Sequence, residues 1–269
     1  MIDWDEIWKA EKYPMWVMNG EVGKFWDGEA SNRFQKMVCS ENARSRTMQQ
    51  VKSLNLSKDD IVLDIGCGVG RLSVPIAKIV KKVYALDISK KMLEYAKKYA
   101  ESECVEDIEF IQGNWEEFDI ATIEKVDVTI AYNSLGVYEL RKSLEKINAI
   151  TRREVYIFTF AGKGEWMDEE LVEIIYGNRI SFNYSSASII SGLLSQMGIV
   201  HETSVEESYW AATYHSVDEA FEDIINMYSI DDSFRDIVKD FIIRKVDRKN
   251  GLVEFCQKRS VACIHWFCQ

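Results

Sequence analysis

The residues best placed to bind a polar or anionic ligand lie between positions 61 and 89. Asp64 is set in an apolar run, and Gly66, Gly68 and Gly70 follow it at alternate positions. This order is typical of a buried strand, a tight turn and a helix start. Glycine lets the backbone turn sharply or approach a ligand closely, and a helix start offers unpaired N–H groups. We therefore expect the turn to hold a polar or anionic group above the strand ends.

A second acidic residue, Asp87, ends the next apolar run, 23 positions after Asp64 (87 − 64). A carboxylate at the end of the second strand of an open sheet can accept hydrogen bonds from both hydroxyls of a ribose. Several nucleotide-binding and adenosyl-binding folds share this geometry. Asp87 therefore predicts a bound ribose without choosing the ligand that carries it.

The spacing of the glycines narrows the choice of ligand. The dinucleotide fingerprint G-x-G-x-x-G requires a glycine where this chain has Arg71. The pattern D-x-G-x-G-x-G from Asp64 to Gly70 instead resembles the first motif of the class I S-adenosylmethionine (SAM)-dependent methyltransferases. The resemblance implies that the turn passes under the methionine part of SAM, and that Asp64 orients the amino group directly or through the turn. Cys67, inside the turn, is expected to be a small residue facing the cofactor.

The same resemblance implies contacts with the adenine of SAM. It places Ile88 and Met92 near that ring. It also puts Asn114 where the family often has an acid that accepts a hydrogen bond from the adenine amino group. An amide oxygen can accept the same bond. Trp115 is expected either against the adenine face or in the core as a packing aromatic.

The loop after the fourth strand is expected to border the transferred methyl group, because ligands bind beyond the carboxyl ends of parallel strands. Asn133 and Ser134 are expected to contact the cofactor there. Tyr138 is a weaker candidate for contact with the substrate and is equally compatible with packing. The loop lacks the N/D-P-P-Y signature of amide and adenine methylation in this superfamily, which argues against methylation of DNA adenine.

Strand patterns alternate with helical patterns through the middle of the chain, which predicts a parallel sheet covered on both faces. The resembled fold adds an antiparallel sixth and seventh strand. The predicted fold is therefore α/β, a Rossmann-like, seven-stranded and mostly parallel sheet. The five strand patterns lie at 61–65, 83–89, 108–115, 126–132 and 154–160.

Two flanking segments carry no family signature. Residues 1–52 are predicted to be an N-terminal helical cap in front of a SAM-binding domain at 53–269, with about 211–259 as a helical insertion before the last strand. If the cap closes over SAM and substrate, as the resemblance implies, its aromatic residues are weak candidates for substrate contact. Those most expected to face the pocket are Trp16, Phe25 and Trp26.

Composition limits the partners that the protein can have. The chain has 269 residues and a formal net charge of −11, which argues against nucleic acid and anionic membranes as partners. It shows no signal peptide and no run of roughly 18 apolar residues. Its six scattered cysteines predict free thiols in a reducing cytoplasm and no metal site.

The sequence predicts a methyltransferase that transfers the methyl group of SAM to a small-molecule acceptor. Because the sulfonium already activates the methyl group, positioning supplies much of the catalysis, and a general base is needed only if the acceptor must lose a proton. No catalytic residue, acceptor atom or oligomeric state can be assigned from the sequence. Two alternatives stay open, namely a non-catalytic SAM-binding regulatory module and, less favoured, an NAD-dependent oxidoreductase.

Overall fold

The structure, a computed structural model, describes residues 2–19, 22–28, 31–32, 34–35, 41–162, 168–177, 184–228, 230–249 and 251–268. Its helices in these residues are α1 (Trp4–Asn19), α2 (Val22–Asp27), α3 (Glu41–Ser53), α4 (Ser73–Ala77), α5 (Lys90–Ser102), α6 (Leu140–Ile150), α7 (Glu169–Tyr176), α8 (Ser186–Gln196), α9 (Val217–Tyr228) and α10 (Arg235–Lys245). Its strands there are β1 (Ile61–Ile65), β2 (Lys82–Asp87), β3 (Ile108–Gln112), β4 (Val126–Tyr132), β5 (Thr151–Phe160), β6 (His201–Tyr214), β7 (Val246–Lys249) and β8 (Leu252–Phe267).

One sheet connects all of these strands, in the order β3-β2-β1-β4-β5-β8-β6, with β7 paired to β8. The pairs among β1 to β5 are parallel, whereas β8 runs antiparallel to both β5 and β6. The predicted seven-stranded, mostly parallel sheet is confirmed, and the short β7 is an addition to it. Because the chain moves outward from β1 in both directions, the switch point of the sheet lies between β1 and β4, where ligands of such folds bind.

Helices cover both faces of the sheet, as predicted. All five residues of β1 are buried, as is expected of a central parallel strand with helices on either side. Apolar side chains of α1, α6 and α8 form the core on one face. Apolar side chains of α3, α4 and α5 form the core on the other face.

The last two long strands extend well beyond the rest of the sheet. Val261 of β8 pairs both with Phe160, the last residue of β5, and with Glu206 of β6. Residues 207–214 of β6 therefore continue past β5 while still paired to β8. At about 3.3 Å per residue, these eight residues reach about 26 Å further. Because β6 runs in the same direction as β5, residues 207–214 project from the edge where the parallel strands end.

This extension has a core of its own. Side chains of α7, α9 and α10 pack there against the projecting parts of β6 and β8. The aromatic residues of this core include Phe221, Tyr228 and Phe241 from the helices and Phe255 from β8. The segment predicted as a helical insertion does contain two helices. It also contains β7 and the paired ends of β6 and β8, because both long strands run further than their sequence patterns indicated.

The described parts of the N-terminal segment lie at separate places on the domain. Trp8 fixes α1 to the core, since its side chain is 1% exposed and its indole N–H donates to the carbonyl of Val137 at 2.7 Å. At the end of α2, Asp27 accepts a hydrogen bond from the hydroxyl of Ser89 at 2.6 Å. None of the described helices combines the length and apolar character that crossing a bilayer requires.

Candidate functional site

The glycine turn after β1 has a backbone conformation that side chains would obstruct. Gly66, Gly68 and Gly70 have φ angles of +69°, +56° and +77°, a region that residues with a Cβ rarely adopt. A Cβ on Gly66 would lie 2.3 Å from the Cβ of Ser134, and a Cβ on Gly70 would lie 3.2 Å from that of Ala96. Glycine therefore lets the turn pack tightly against the loop after β4 on one side and against α5 on the other.

Asp87 joins the turn to the end of β2. Its Oδ2 accepts a hydrogen bond from the N–H of Gly68 at 2.7 Å, and its Oδ1 accepts one from the N–H of Ser89 at 2.8 Å. The carboxyl group is buried, and this burial raises its pKa, although the two N–H donors act in the opposite direction. Each oxygen keeps a further lone pair, so the carboxylate can still accept from two ribose hydroxyls.

Asp64 lies beneath the turn rather than beside it. Its side chain is 2% exposed, and its Oδ2 accepts from the hydroxyl of Ser73 at 2.5 Å. Burial raises the pKa of Asp64 to about 6, against the opposing effects of Ser73 and of the nearby Arg71 charge. Of the two routes by which Asp64 was expected to orient the cofactor, the indirect one through the turn fits this burial.

The burial of Asp64 makes stability depend on pH. Its pKa is about 6 in the folded protein and 3.8 as the ordinary value. Between these values the folded state keeps a proton that the unfolded state has lost, so this group's contribution to the free energy of unfolding falls as the pH rises. We expect a loss of about 3 kcal/mol in total, of which about 2 kcal/mol falls between pH 4 and pH 6, with little change above about pH 7.

Asp64→Asn keeps an oxygen for Ser73 and removes the titration. Urea unfolding of both proteins at several pH values should show the variant gaining on the wild type as the pH rises from about 4 to about 6. A stability difference that is constant over this range would contradict the assignment.

The region predicted to receive adenine is covered by the N-terminal segment. Met92 and Val69 are buried at 3% and 4% exposure, and Trp26 and Phe34 pack against them. Ile88 is partly exposed, and α2 passes close enough that a Cβ on Gly23 would lie 3.6 Å from it. A ligand can therefore reach Met92 only if these aromatic side chains move.

Two residues predicted to contact the cofactor direct their side chains into the core. Cys67 is 7% exposed and belongs to the core on the α3–α5 face, where burial raises the pKa of its thiol well above the ordinary value. The side chain of Cys67 thus packs in that core, and its contact with the cofactor stays a prediction. Trp115 has the core role, because it is 5% exposed and its indole N–H donates to the hydroxyl of Ser143 at 2.6 Å.

The remaining predicted residues lie on two loops. Asn114 is partly buried, and its Oδ1 accepts from the N–H of Glu116 at 3.0 Å. Asn133 adopts a φ of +50°, and the hydroxyl of Ser134 donates to the carbonyl of Ile65. The bond from Ser134 keeps the loop after β4 against the end of β1, where the glycine turn begins.

The weak substrate candidates do not form one cluster in the described residues. Tyr138 is 56% exposed, with the ammonium of Lys9 5.3 Å from its ring centre, whereas Trp26 packs near Met92. The side chains of Trp16 and Phe25 lie outside the described part of the chain.

The histidines lie away from the turn. His265 is 3.1 Å from the carboxylate of Glu154, and His215 lines a surface cavity of about 420 Å³ where the extension's strands turn. Within the described ranges, no three His, Cys, Asp or Glu side chains are grouped so as to hold a metal ion.

Arg71 is a further residue at this site, which the sequence marks only as the position that breaks a dinucleotide fingerprint. The structure places its guanidinium 4.1 Å from the ring centre of Tyr132, the last residue of β4. Its position directly after the third glycine was the available signal, because a side chain there lies next to whatever the turn holds.

Comparison with known proteins identifies the family. Residues 56–180 match the family model described as a methyltransferase domain. A probable cobalt-precorrin-6B C(15)-methyltransferase (decarboxylating) of Methanocaldococcus jannaschii is 30% identical over 142 residues, which are 48% of this chain and 75% of that protein. The chain belongs to the class I SAM-dependent methyltransferases. SAM is therefore the cofactor of this methyltransferase.

Other relatives differ in what they act on. An uncharacterized protein of Haemophilus influenzae is 29% identical over 157 residues, and the match spans only 57% of its length. The 23S rRNA (uracil(1939)-C(5))-methyltransferase of Aliivibrio fischeri is 38% identical over 77 residues, only 18% of its length. The relatives thus include an RNA methyltransferase as well as a precorrin methyltransferase.

A solved structure shares the fold of the methyltransferase. Magnesium protoporphyrin IX methyltransferase of Synechocystis PCC 6803, with bound S-adenosylhomocysteine (SAH), has a TM-score of 0.55 and 16% identity. The alignment covers 90% of this chain and 97% of that protein. At this identity the likeness concerns the fold alone.

The site residues of this chain fit SAM on structural grounds. The bare backbone of the turn, the carboxylate of Asp87 beside it and the polar loop after β4 lie at the switch point of the sheet. The carboxylate matches a ribose diol, and the glycines leave the backbone of the turn free of side chains of its own.

Proposed function

We propose that this methyltransferase acts on a small-molecule acceptor. The observation that supports this most is the cover of Trp26 and Phe34 over Met92 and Val69, because it encloses the crevice in which SAM would lie. Enclosed crevices are typical of small-ligand sites. An RNA acceptor would need an open approach and a basic surface.

The net charge supports the same choice. A formal charge of −11 repels a phosphate backbone, and most nucleic-acid binding depends on its neutralisation by lysine and arginine. The resemblance to an rRNA methyltransferase is confined to a short stretch of that protein, so it indicates the shared cofactor domain rather than a shared acceptor.

In the proposed mechanism the residues of this chain mainly position the reactants. Asp87 binds the ribose hydroxyls, Asp64 holds the turn through Ser73, and Ser134 keeps the loop after β4 beside the turn. When bound, SAM supplies an activated methyl group for in-line displacement. Holding the acceptor in line with that group reduces the entropic barrier, so the proposal assigns no general base.

We also propose that the flanking segments form the walls of the acceptor site. The N-terminal residues up to 52 contribute the cover over the adenosyl region, which must lift for SAM to enter. The projecting ends of β6 and β8, with α9 and α10, rise from the same edge of the sheet. Variation in these two segments would then set acceptor choice while the glycine turn serves the cofactor.

A cytoplasmic location belongs to the same proposal. The five described cysteines, which are Cys67, Cys104, Cys256, Cys263 and Cys268, are all free thiols. Free thiols at this number are typical of a reducing compartment.

The function can be tested with methyl-labelled SAM and an extract of cells, with and without prior ribonuclease treatment. We expect label in a low-mass product that ribonuclease does not affect, and much less label with the Asp87→Asn variant. Label that appears in RNA would contradict the small-molecule acceptor. SAH binding without any labelled product would favour the regulatory-module alternative.

A further inference from the structure

The guanidinium of Arg71 is held by several contacts at the carboxyl end of β4. Its Nη1 donates to the hydroxyl of Thr47 at 2.9 Å and to the side-chain oxygen of Gln50 at 2.7 Å. Its Cζ lies over the ring of Tyr132, 4.1 Å from the ring centre, and the amide of Gln50 donates to the hydroxyl of that tyrosine at 3.3 Å. One helix, one turn and one strand end thus orient the same side chain.

Within the described part of the chain, the second terminal nitrogen of this guanidinium has no hydrogen-bond partner. Nη2 of Arg71 is buried, yet no described atom accepts a hydrogen bond from it. A buried polar group without a partner costs roughly 1–3 kcal/mol, and more if it is charged. The other terminal nitrogen donates to two neutral acceptors, so the side chain keeps unused N–H donors at Nη2.

The charge of Arg71 also lacks a direct ion pair, because no carboxylate of the described residues lies within ion-pair distance of its guanidinium. The nearby Asp64 instead accepts from Ser73. Burial lowers the pKa of Arg71, which shows that the surroundings disfavour its charge, although Tyr132 and Asp64 act in the opposite direction. Arginine nevertheless stays protonated in proteins, so an anion at Nη2 would stabilise it.

We propose that Arg71 binds a carboxylate group of a ligand lying between the glycine turn and the end of β4. The inference rests on the proposed function, because the amino-acid end of SAM and the acceptor meet in this region. Two ligands could supply the carboxylate, namely the amino-acid end of SAM itself or an acidic acceptor. A guanidinium fixed by Thr47, Gln50 and Tyr132 offers Nη2 to either at little further entropic cost.

The first part of the test compares SAH with its decarboxylated analogue by calorimetric titration. Arg71→Met removes the charge at similar length, and Arg71→Lys keeps a charge without the planar fork. Arg153→Met is the matched control, because Arg153 binds Asp60 and Glu154 near the starts of β1 and β5, at the opposite end of the strands from the glycine turn. If the carboxylate belongs to the cofactor, Arg71→Met should weaken the binding of SAH by about 10- to 100-fold. It should weaken the binding of the decarboxylated analogue by less than about 3-fold. Arg153→Met should leave the ratio of the two affinities unchanged.

The second part identifies an acidic acceptor. The reaction with cell extract is run at saturating SAM, and its labelled products are then separated by anion exchange. If the carboxylate belongs to the acceptor, Arg71→Met should leave SAH affinity unchanged and reduce a product that the resin retains by at least about 10-fold.

The outcomes separate this inference from the proposed function. The inference is overturned if Arg71→Met weakens the binding of SAH and of its decarboxylated analogue equally, since the residue then only maintains the fold. It is also overturned if SAH affinity and product formation both stay at the wild-type level, or if no retained product is found while SAH affinity is unchanged. Failure of the wild-type protein to bind SAH would instead contradict the proposed function itself.

Discussion

Gly66→Ala should abolish detectable SAH binding and lower the free energy of unfolding by about 2–5 kcal/mol. The added Cβ would lie 2.3 Å from the Cβ of Ser134, and the backbone φ of +69° is itself strained for alanine. The loop after β4 must then move away from the turn, which separates the two sides of the cofactor site. Urea unfolding and calorimetric titration with SAH measure both effects.

Gly198→Ala is the matched control for this substitution. Gly198 has a φ of +73°, yet an added Cβ would have no atom within 4 Å. We expect this variant to lose only the roughly 1–2 kcal/mol of backbone strain and to bind SAH normally. Similar losses in both variants would show that the close approach to Ser134 has no role, and so would SAH binding by Gly66→Ala at wild-type strength.

Asp87→Asn should weaken SAH binding by at least about 100-fold, the value expected for two hydrogen bonds to a charged acceptor. Both carboxylate oxygens of Asp87 already accept from backbone N–H groups. An amide nitrogen in place of either oxygen would face an N–H donor, so the variant also distorts the turn near the ribose. Titration with SAH and with its 2′,3′-dideoxy analogue separates the loss of the hydroxyl contacts from this distortion.

The wild-type protein should bind the dideoxy analogue, which lacks both ribose hydroxyls, more weakly than it binds SAH. The Asp87→Asn variant should bind the two ligands with similar affinity. Asp119→Asn is the control, since Asp119 also accepts from a backbone N–H, that of Ala121 at 2.9 Å, on an exposed turn. It should bind SAH like the wild type. An Asp87→Asn variant that distinguishes the two ligands as strongly as the wild type does would refute the ribose assignment.

The turn itself was predictable because its determinants are local. Three glycines at alternate positions after a buried strand predict positive φ angles, and Gly66, Gly68 and Gly70 have them. The position of Asp87 at the end of β2 follows from the length of the apolar run before it. Parallel pairing then brings Asp87 to the turn without any information from distant residues.

The directions of individual side chains were less predictable, because distant partners decide them. Trp115 turns into the core since Ser143, 28 positions later, accepts from its indole N–H. Thr47 and Gln50, more than 20 positions before Arg71, set the direction of its guanidinium. No periodicity in the sequence links such pairs.

The extension was only partly predictable for a similar reason. The amphipathic helices α9 and α10 are visible in the sequence as apolar residues at helical spacing. The length of β6 depends instead on its pairing with β8, which reaches Tyr214 opposite Val253. Since β8 supplies the hydrogen bonds, the pattern of β6 alone could not show where it ends.

The most direct test of the account is titration of the wild-type protein with SAH and, separately, with NAD. The account predicts one SAH bound per chain with a micromolar dissociation constant, and no heat of binding with NAD. Binding of NAD without SAH, or of neither ligand, would contradict the assignment of the glycine turn and Asp87 to the cofactor SAM.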